Sequence, residues 1–244
     1  MNKVAIITGA RRGIGKTTAF RFAKEGFDVV VVDKEDKKAI EEVAECIEKE
    51  YSVKAVSAFL DISKEDKVFE LLDNVKGIFG RVDVLVNNAA IVYDVELDDR
   101  TEAMFNETLI NNVSSAYLMS KHFGKFMFEN NEIGKIINIS STNGTDAYFP
   151  TSLDYDASKA AIISLTHNFA CAYAPKILVN AVAPHWVNTE MNADLPPELV
   201  KEETDKILLG RFAEPEEISE LIYFLASEKN TYINGEIITI SGGR

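Results

Sequence analysis

The stretch Val4-Ala-Ile-Ile-Thr-Gly-Ala-Arg-Arg-Gly-Ile-Gly15 joins a short apolar run to a turn rich in glycine. This order predicts a buried strand that leads through a tight turn into a helix. Gly9 permits the bend, while Gly13 and Gly15 allow the backbone to approach a pyrophosphate group at the start of that helix. The spacing is GxxxGxG rather than GxGxxG, and such a turn on its own could be a simple loop.

Strand-like and helix-like segments alternate beyond this turn. Strands are predicted at Val4–Ile7, Val29–Val32, Lys54–Ala58, Val82–Val86, Lys135–Ile139, Leu178–Val182 and Glu236–Ile240. Helices are predicted at Gly15–Glu25, Glu35–Glu50, Lys64–Phe79, Thr101–Glu129, Tyr155–Tyr173 and Pro215–Ser227. The alternation predicts an α/β fold with a doubly wound, seven-stranded parallel sheet, flanked by helices on both faces, that binds ligands beyond the carboxyl ends of its strands.

The 244 residues contain no internal repeat, low-complexity segment or flexible linker, so a single domain over 1–244 is expected. A hydrophobic content of 46% is enough for a substantial core. Residues 188–210, which include Pro196-Pro197 and several acidic side chains, depart from the alternation. This segment is predicted to form a loop with a short helix that acts as a substrate lid.

The net charge of −13 disfavours nucleic acids and anionic membrane surfaces as partners. We expect neither a signal peptide nor a membrane span, because the apolar runs are only as long as strands. Cys46 and Cys171 form no disulfide framework and no CxxC motif, which favours a cytoplasmic location. No metal site is expected, since the three histidines lack ligand spacing, and the absence of GxSxG disfavours a serine hydrolase.

Tyr155-Asp-Ala-Ser-Lys159 places a phenol and an ammonium group four residues apart in a predicted helix. This spacing puts both side chains on one face, where the ammonium would favour the ionised phenol. A phenol held in this way can exchange a proton with an alcohol near neutral pH. Taken alone, the pair could also be an ordinary contact on a helix surface.

Two carboxylates follow predicted strands. Asp33 ends the second strand, about twenty residues beyond the glycine turn, where it could accept hydrogen bonds from an adenosine ribose. Asp61 follows the third strand and could contact the adenine edge. Both could instead cap helices or lie in ordinary loops.

The chain resembles the short-chain dehydrogenase/reductase family over essentially its whole length. The resemblance rests on six motifs in family order: Thr8–Gly15, Asn87-Asn-Ala-Ala90, Asn112, Ser141, Tyr155 with Lys159, and Pro184–Thr189. It implies an NAD(P)-binding Rossmann-like domain and an oxidoreductase of CH–OH donors. Such an enzyme transfers a hydride between nicotinamide and a carbonyl or secondary alcohol, commonly as a homotetramer.

The resemblance also implies roles for single residues. Tyr155 would be the general acid/base, Ser141 would hydrogen-bond the substrate oxygen, and Lys159 would bind the nicotinamide ribose and lower the pKa of Tyr155. Asn112 would hold a water that links Lys159 to solvent.

Two of these assignments have a neighbour as the alternative. Asn111 stands beside Asn112, and Ser140 beside Ser141. Ser141 is preferred because Ser-Thr-Asn-Gly144 has the Ser-x-x-Gly spacing of the family. By the same resemblance, the cofactor would be contacted by Gly9, Arg12, Gly13, Ile14, Gly15, Asp33, Asp61, Ile62, Asn88, Ala89, Tyr155, Lys159, Pro184, Val187 and Thr189.

The cofactor is predicted to be NAD, with NADP as the alternative. Asp33 would repel a 2′-phosphate, whereas Arg12, directly before Gly13, and Lys34 would attract one. NAD is favoured because a carboxylate at a strand end can bind both ribose hydroxyls directly.

The chain departs from the family pattern at Ala90 and His185, where glycine is usual. A Cβ atom at these positions is expected to crowd backbone that approaches the cofactor. His185 and Trp186 could line the substrate pocket or simply pack against the lid. The spacing between Ser141 and Tyr155 is one residue longer than is most common.

More than one class of substrate fits the motifs of the chain. Gly210–Glu217 and the tail Asn234–Gly243 most resemble 3-oxoacyl-[acyl-carrier-protein] reductases, but sugar and polyol dehydrogenases share these features. An acidic carrier protein needs a basic docking surface, whereas Phe128-Glu-Asn-Asn-Glu132 and Tyr173-Ala-Pro-Lys176 contain only one cation. A carrier-protein reductase stays an alternative, and a non-catalytic dinucleotide sensor is a second one.

Overall fold

The computed structural model describes residues 2–130 and 133–244. Its strands are β1 (Val4–Thr8), β2 (Asp28–Asp33), β3 (Ala55–Phe59), β4 (Val84–Asn87), β5 (Gly134–Ile139), β6 (Ile177–Pro184) and β7 (Ile237–Ile240). They form one sheet in the order β3-β2-β1-β4-β5-β6-β7, and every neighbouring pair is parallel. The seven predicted strands are therefore confirmed, with ends displaced by at most two residues.

The helices are α1 (Gly13–Lys24), α2 (Lys37–Glu50), α3 (Glu65–Phe79), α4 (Glu102–Leu109), α5 (Ser115–Asn130), α6 (Leu153–Tyr173), α7 (Pro197–Asp205) and α8 (Pro215–Ala226). Alternate residues of β1 face opposite sides of the sheet, because side chains alternate along a strand. Ile7 packs in a core with α1, α2 and α8, whereas Ile6 packs in a second core with α3 and α5. The doubly wound arrangement is thus confirmed.

The predicted helix Thr101–Glu129 is not one α-helix. Residues Ile110–Ser114 form a π-helical segment between α4 and α5. Its side chains bond locally to the backbone: Asn111 donates to the carbonyl of Glu107, and Ser115 to that of Asn111. Wider π turns occur mostly as short insertions in α-helices, often at functional sites.

Sheet order reverses direction at β1, which lies between β2 and β4. In open α/β sheets the crevice at such a point, beyond the carboxyl ends of the strands, is the usual ligand site. The segment predicted as a lid contains a single 3₁₀ turn, Glu190–Asn192, and the short helix α7. No helix among the described residues combines the length and apolar character needed to span a bilayer.

Candidate active site

A cleft opens at the carboxyl ends of β1 to β4. Of the residues predicted to contact a cofactor, it is lined by Gly9, Arg12, Gly13, Ile14, Asp33, Asp61, Ile62, Asn88, Ala89 and Thr189. Gly15, Tyr155, Lys159, Pro184 and Val187 lie outside this lining. Val187 instead packs into the core beside α1, because its backbone pairs with Ala213 and turns its side chain inward.

The glycine turn needs glycine for two different reasons. Gly13 has a φ of +52°, a conformation that side chains rarely adopt. A Cβ atom on Gly15 would lie 2.2 Å from the carbonyl oxygen of Gly9, so this position requires close approach of backbone. No side chain caps the N-terminus of α1, and the N–H groups of its first turn therefore remain available to an anion.

Asn88 and Thr8 hold the turn in place. Nδ2 of Asn88 donates to the carbonyl oxygens of Thr8 and Gly9, at 2.9 and 3.1 Å. Oγ1 of Thr8 accepts hydrogen bonds from the N–H groups of Asn88 and Ala89. The side chain of Asn88 thus fixes the shape of the cleft wall.

Asp33, the last residue of β2, lies at the far end of the cleft. Its Oδ1 accepts a hydrogen bond from the N–H of Glu35 at 2.9 Å. The nearest cation is Arg11, whose Nε lies 3.6 Å from Oδ1 of Asp33 and whose guanidinium also pairs with Glu35. Sequence reasoning considered Arg12 and missed Arg11, because only the geometry of the turn decides which of two adjacent arginines faces Asp33.

Lys34 turns toward Asn111 and Asp61, which line the same cleft. Its Nζ donates to Oδ1 of Asn111 and lies 3.7 Å from Oδ1 of Asp61. Burial opposes ionisation of Asp61, but hydrogen bonds from Ser63 and the charge of Lys34 hold its pKa below the usual range. Asn111 therefore belongs to this surface and not to the interior.

Ser141 and Tyr155 meet in a second pocket beyond the cleft. Ser141 follows β5, and its Oγ accepts from the N–H of Asn143 and lies 3.5 Å from the carbonyl oxygen of Pro184. Burial raises the pKa of Tyr155 to about 12, although the Ser141 hydroxyl bonded to the phenol acts in the opposite direction. Ser140 instead donates to the carbonyl of Lys159, which braces β5 against α6.

Lys159 is buried beneath Tyr155. Its Nζ lies 5.3 Å from the centre of the Tyr155 ring and donates to the carbonyl of Ile139 at 2.8 Å. Burial lowers the pKa of Lys159 to about 8. The pKa of Tyr155 is thus raised, and not lowered as expected, because desolvation of the phenol outweighs the hydrogen bond with Ser141 and the carboxylates of Asp156 and Asp94 add to the rise.

Asn112 lies in the π-helical segment and points inward. Its Oδ1 accepts from the N–H of Ile91, while its Nδ2 donates to the carbonyl of Ile91 and to Oγ of Ser158. It thereby joins the segment after β4 to the turn of α6 that carries Lys159. The structure places Asn112, and not Asn111, in the interior beside this turn.

His185 and Trp186 line the second pocket together with Phe149. Nε1 of Trp186 also donates to Glu203 on α7 at 3.0 Å, so Trp186 packs against the segment predicted as a lid. Nδ1 of His185 lies 3.0 Å from Oγ1 of Thr142, and burial lowers its pKa to about 4.

The expected crowding at Ala90 and His185 does not require a strained backbone. Among residues 2–130 and 133–244, only glycines have positive φ. Ala90 is one of the residues that line the cleft at the carboxyl ends of β1 to β4.

Comparison with known proteins settles the family. A family model described as enoyl-(acyl carrier protein) reductase, of the short-chain dehydrogenase/reductase group, matches residues 9–244. The chain belongs to the short-chain dehydrogenase/reductase family. Its fold and the order of its motifs agree with that membership.

Curated relatives of this short-chain dehydrogenase/reductase span nearly its whole length. It is 36% identical over 244 residues to the 3-oxoacyl-[acyl-carrier-protein] reductase FabG of Thermotoga maritima. The alignment covers 99% of this chain and 97% of that reductase. It is also 36% identical over 249 residues to glucose 1-dehydrogenase 2 of Bacillus subtilis, with 99% and 94% covered.

Solved structures agree with this fold. A putative gluconate dehydrogenase from Agrobacterium tumefaciens has a TM-score of 0.93 at 26% identity, covering 98% of this chain and 94% of its own. A short-chain dehydrogenase from Bacillus anthracis has a TM-score of 0.88 at 32% identity, covering 98% and 95%. The protein is thus an oxidoreductase that acts on CH–OH donors with NAD or NADP. The relatives are named for different substrates, so their names do not select one for this chain.

Two further residues of this short-chain dehydrogenase/reductase escaped the sequence analysis. Asp94 lines the second pocket, and the buried Glu203 anchors α7 to Trp186. Their signal was weak, because each lies in a stretch with several acidic residues and no periodic pattern.

Proposed function

We propose that the enzyme transfers a hydride between NAD(H) and a secondary alcohol or ketone, with Ser141, Tyr155 and Lys159 as catalytic residues. One observation carries this proposal: the hydroxyl groups of Ser141 and Tyr155 converge in a pocket that adjoins the dinucleotide cleft. The two spaces share Met191 in their linings. A reacting carbon in the pocket would therefore lie between the two hydroxyls and the end of the cleft.

The residues of the cleft fit a nicotinamide dinucleotide. The uncapped N-terminus of α1 offers N–H groups to a pyrophosphate, and Asp33 offers a carboxylate to a ribose. The ammonium group of Lys159 donates one hydrogen bond to the carbonyl of Ile139. Its two other N–H groups remain available for ribose hydroxyls and for Tyr155. When bound, NADH would supply the hydride.

Proton transfer falls to Tyr155. In the direction of reduction, its hydroxyl gives a proton to the carbonyl oxygen as the carbonyl carbon accepts the hydride, so an alcohol and a phenolate result. Oxidation of the alcohol reverses both transfers. Ser141 would hydrogen-bond the substrate oxygen. Asn112 keeps a lone pair on Oδ1 that would accept a hydrogen bond from the water linking Lys159 to solvent.

Charges around Asp33 support NAD over NADP. Arg11 lies between the carboxylates of Asp33 and Glu35, and Lys34 is engaged with Asn111 and Asp61. These two cations are thus already matched by acidic groups. A 2′-phosphate would meet the Asp33 carboxylate, and Arg12, which also lines the cleft, would offset only part of that repulsion.

The relatives named as 3-oxoacyl-[acyl-carrier-protein] reductases keep a second candidate open. Lys176, the one cation of the expected docking region, donates to the carbonyl of Phe128 and lies 4.7 Å from the centre of its ring. Glu129 adds negative charge there, while Glu132 lies outside the described residues. These features favour a free substrate over one carried by an acidic protein.

Residues 188–210 would act as a lid over the substrate pocket, since Asn192, Asp194 and Leu199 line that pocket. A homotetramer is proposed from the family and from apolar residues left exposed on the helices around α5 and α6. A cytoplasmic setting is supported by two exposed free cysteines.

A turnover screen tests the function. The purified protein would be assayed with NAD(H) and NADP(H) against sugars, polyols, hydroxysteroids and 3-oxoacyl thioesters, the thioesters both free and carrier-bound. We expect turnover of a secondary alcohol or ketone with NAD(H), and its loss in Tyr155→Phe. A large preference for carrier-bound thioester that strengthens at low salt would select the second candidate. Dinucleotide binding without turnover of any class would favour a redox sensor.

A further inference from the structure

Asp94 is an exposed acidic residue at the rim of the substrate pocket, and no hydrogen bond or salt bridge joins its carboxylate to the rest of the described chain. It lines the same pocket as Tyr155 and Ser141. Within the described residues, its carboxylate accepts no hydrogen bond and pairs with no cation. A carboxylate in this position has its acceptor oxygens free for a donor on the substrate.

The backbone on both sides of Asp94 is fixed by one arginine. Arg100 donates to the carbonyl oxygens of Tyr93 and Val95, each at 3.0 Å, and its other nitrogen pairs with the buried Asp154. Asp154 directly precedes Tyr155 in α6. The same guanidinium therefore ties the backbone around Asp94 to the backbone that carries the catalytic phenol, which is how a binding group is preorganised.

Asp94 is also close enough to act on Tyr155. Burial raises the pKa of Tyr155 to about 12, and the carboxylates of Asp156 and Asp94 add to the rise. Loss of solvation raises the pKa of Asp94 itself; the charge of Arg100 opposes this rise, while Asp154 and Asp156 add to it. A hydrogen-bond donor placed between Asp94 and Tyr155 would relieve this accumulation of negative charge.

The other walls of the pocket indicate the kind of donor. Its charged residues are carboxylates, Asp94, Glu96 and Asp194, and no lysine or arginine lines it among the described residues. The lining also contains uncharged polar groups, Asn143 and Thr151 among them, and the aromatic ring of Trp186. Several neutral polar groups beside an aromatic ring suit a molecule with several hydroxyls better than a lone ammonium. An anionic substrate would meet repulsion.

We infer that Asp94 is a specificity-determining residue that accepts a hydrogen bond from a substrate hydroxyl near the reacting carbon, and that the substrate is an uncharged polyhydroxy compound. This inference rests on the proposed function. It adds to it the chemical class of the alcohol.

Three ketones of related skeleton test the inference: 3-hydroxybutan-2-one, butan-2-one and 3-oxobutanoate. With NADH, the wild type should have a kcat/KM for the hydroxyketone about 10- to 100-fold above that for butan-2-one, because the latter leaves the Asp94 carboxylate desolvated and unpaired. In Asp94→Leu this ratio should fall to within about threefold. Asp94→Asn keeps an acceptor oxygen, so it should retain a ratio above that of Asp94→Leu. It should also improve turnover of 3-oxobutanoate, because it removes a like charge.

Asp98 provides the matched control. It is an exposed acidic residue four positions along the same segment, outside the pocket lining. Asp98→Leu and Asp98→Asn remove the same charge and should leave the hydroxyketone-to-ketone ratio unchanged.

The outcomes separate the two proposals. Turnover without discrimination in the wild type, or an unchanged ratio in Asp94→Leu, would overturn the role of Asp94 and leave the proposed function standing. A shift of the ratio by Asp98→Leu as large as that by Asp94→Leu would also overturn it. A higher kcat/KM for an amino ketone than for the hydroxyketone would overturn the inferred class of uncharged polyhydroxy substrates in favour of amines. Failure of every ketone and alcohol with both nicotinamides would overturn the proposed function itself.

Discussion

The acid–base behaviour of Tyr155 and Lys159 is set by burial. The pKa of Tyr155 is raised to about 12, so the phenol is protonated at neutral pH and suited to give a proton to a carbonyl. The pKa of Lys159 is lowered to about 8, so its ammonium keeps its charge at pH 7 and loses it as the pH rises above 8. At neutral pH the protein thus holds a proton donor above a cation.

Tyr155→Phe should remove turnover and preserve cofactor binding. The substitution deletes the transferable proton but keeps the ring, and general acid/base groups contribute about 10²–10⁴-fold to rate. Steady-state kinetics would measure kcat/KM, and NADH fluorescence would measure affinity. Lys159→Ala is the comparison, because it should impair both rate and affinity. A Tyr155→Phe variant with a rate near that of the wild type would refute the assignment of the acid.

Asp33 should set a preference for NAD(H) over NADP(H). At about 5 Å and an effective dielectric near 20, a carboxylate and a phosphate charge repel by roughly 3 kcal/mol before screening. Because Arg11 offsets part of this repulsion, we expect a preference of about 10- to 100-fold in kcat/KM.

Asp33→Ala tests this preference. The variant should weaken NAD use through lost ribose hydrogen bonds and improve NADP use, so that the two efficiencies converge. Asp73→Ala, which removes an exposed charge on α3, should change neither the efficiency with NAD nor the efficiency with NADP. The idea fails if the wild type prefers NADPH, because the cations of the cleft would then outweigh Asp33.

At the scale of elements, the sequence predicted the parallel sheet well. Each strand is an apolar run, and the alternation with amphipathic segments left little freedom in the order of the elements. The break within Thr101–Glu129 was not predictable in this way, since a π-helical segment has the same composition as the α-helix around it. Its position is fixed by hydrogen bonds that Asn112 accepts from the N–H of Ile91 and donates to the Ile91 carbonyl and to Ser158, residues that are distant in sequence.

In the candidate site, too, some features follow from the sequence pattern and others do not. Motif spacing favoured Ser141 over Ser140; in the structure Ser141 lines the second pocket, whereas Ser140 donates to the carbonyl of Lys159 in α6. Spacing could not show that Arg11 faces Asp33, that Val187 packs into the core, or that Asp94 enters the pocket. These positions depend on the conformation of loops, where side-chain direction follows no period.

The ion pair of Arg100 with Asp154 should stabilise the junction between the segment after β4 and helix α6. The side chain of Arg100 is 5% exposed and that of Asp154 is fully buried. Arg100→Met leaves a buried carboxylate without its cation, a change that typically costs about 3–5 kcal/mol of unfolding free energy. Urea unfolding monitored by circular dichroism would measure this loss.

Arg211→Met is the matched control for this ion pair. Arg211 pairs with Glu217 at the surface, where both side chains are about half exposed, and such pairs contribute about 0–1 kcal/mol. The double variant Arg100→Met/Asp154→Leu should recover part of the loss, since it removes the unpaired charge. Equal destabilisation by Arg100→Met and Arg211→Met would show that the buried pair has no special role.

On the scale of the whole molecule, exposed apolar side chains on α5 and α6 support the proposed homotetramer. Ile110 and Tyr117 are each 42% exposed on the π-helical segment and α5, and Leu153 is 43% exposed at the start of α6. Cys171 and Ala172 are also exposed near the end of α6. A monomer would leave these groups in water, whereas packing of α5 and α6 against symmetry mates would bury them.

Ile110→Glu should therefore disrupt the proposed homotetramer. A buried, unpaired carboxylate would appear in each copy of the contact, and this desolvation opposes association. Sedimentation velocity at micromolar concentration should show the wild type at four times the chain mass of 27.1 kDa, and the variant at lower mass. Ile78→Glu is a close control, because Ile78 on α3 is also 42% exposed and lies outside α5 and α6. A wild type that sediments only as a monomer, or equal dissociation in both variants, would refute packing of α5 and α6 against symmetry mates.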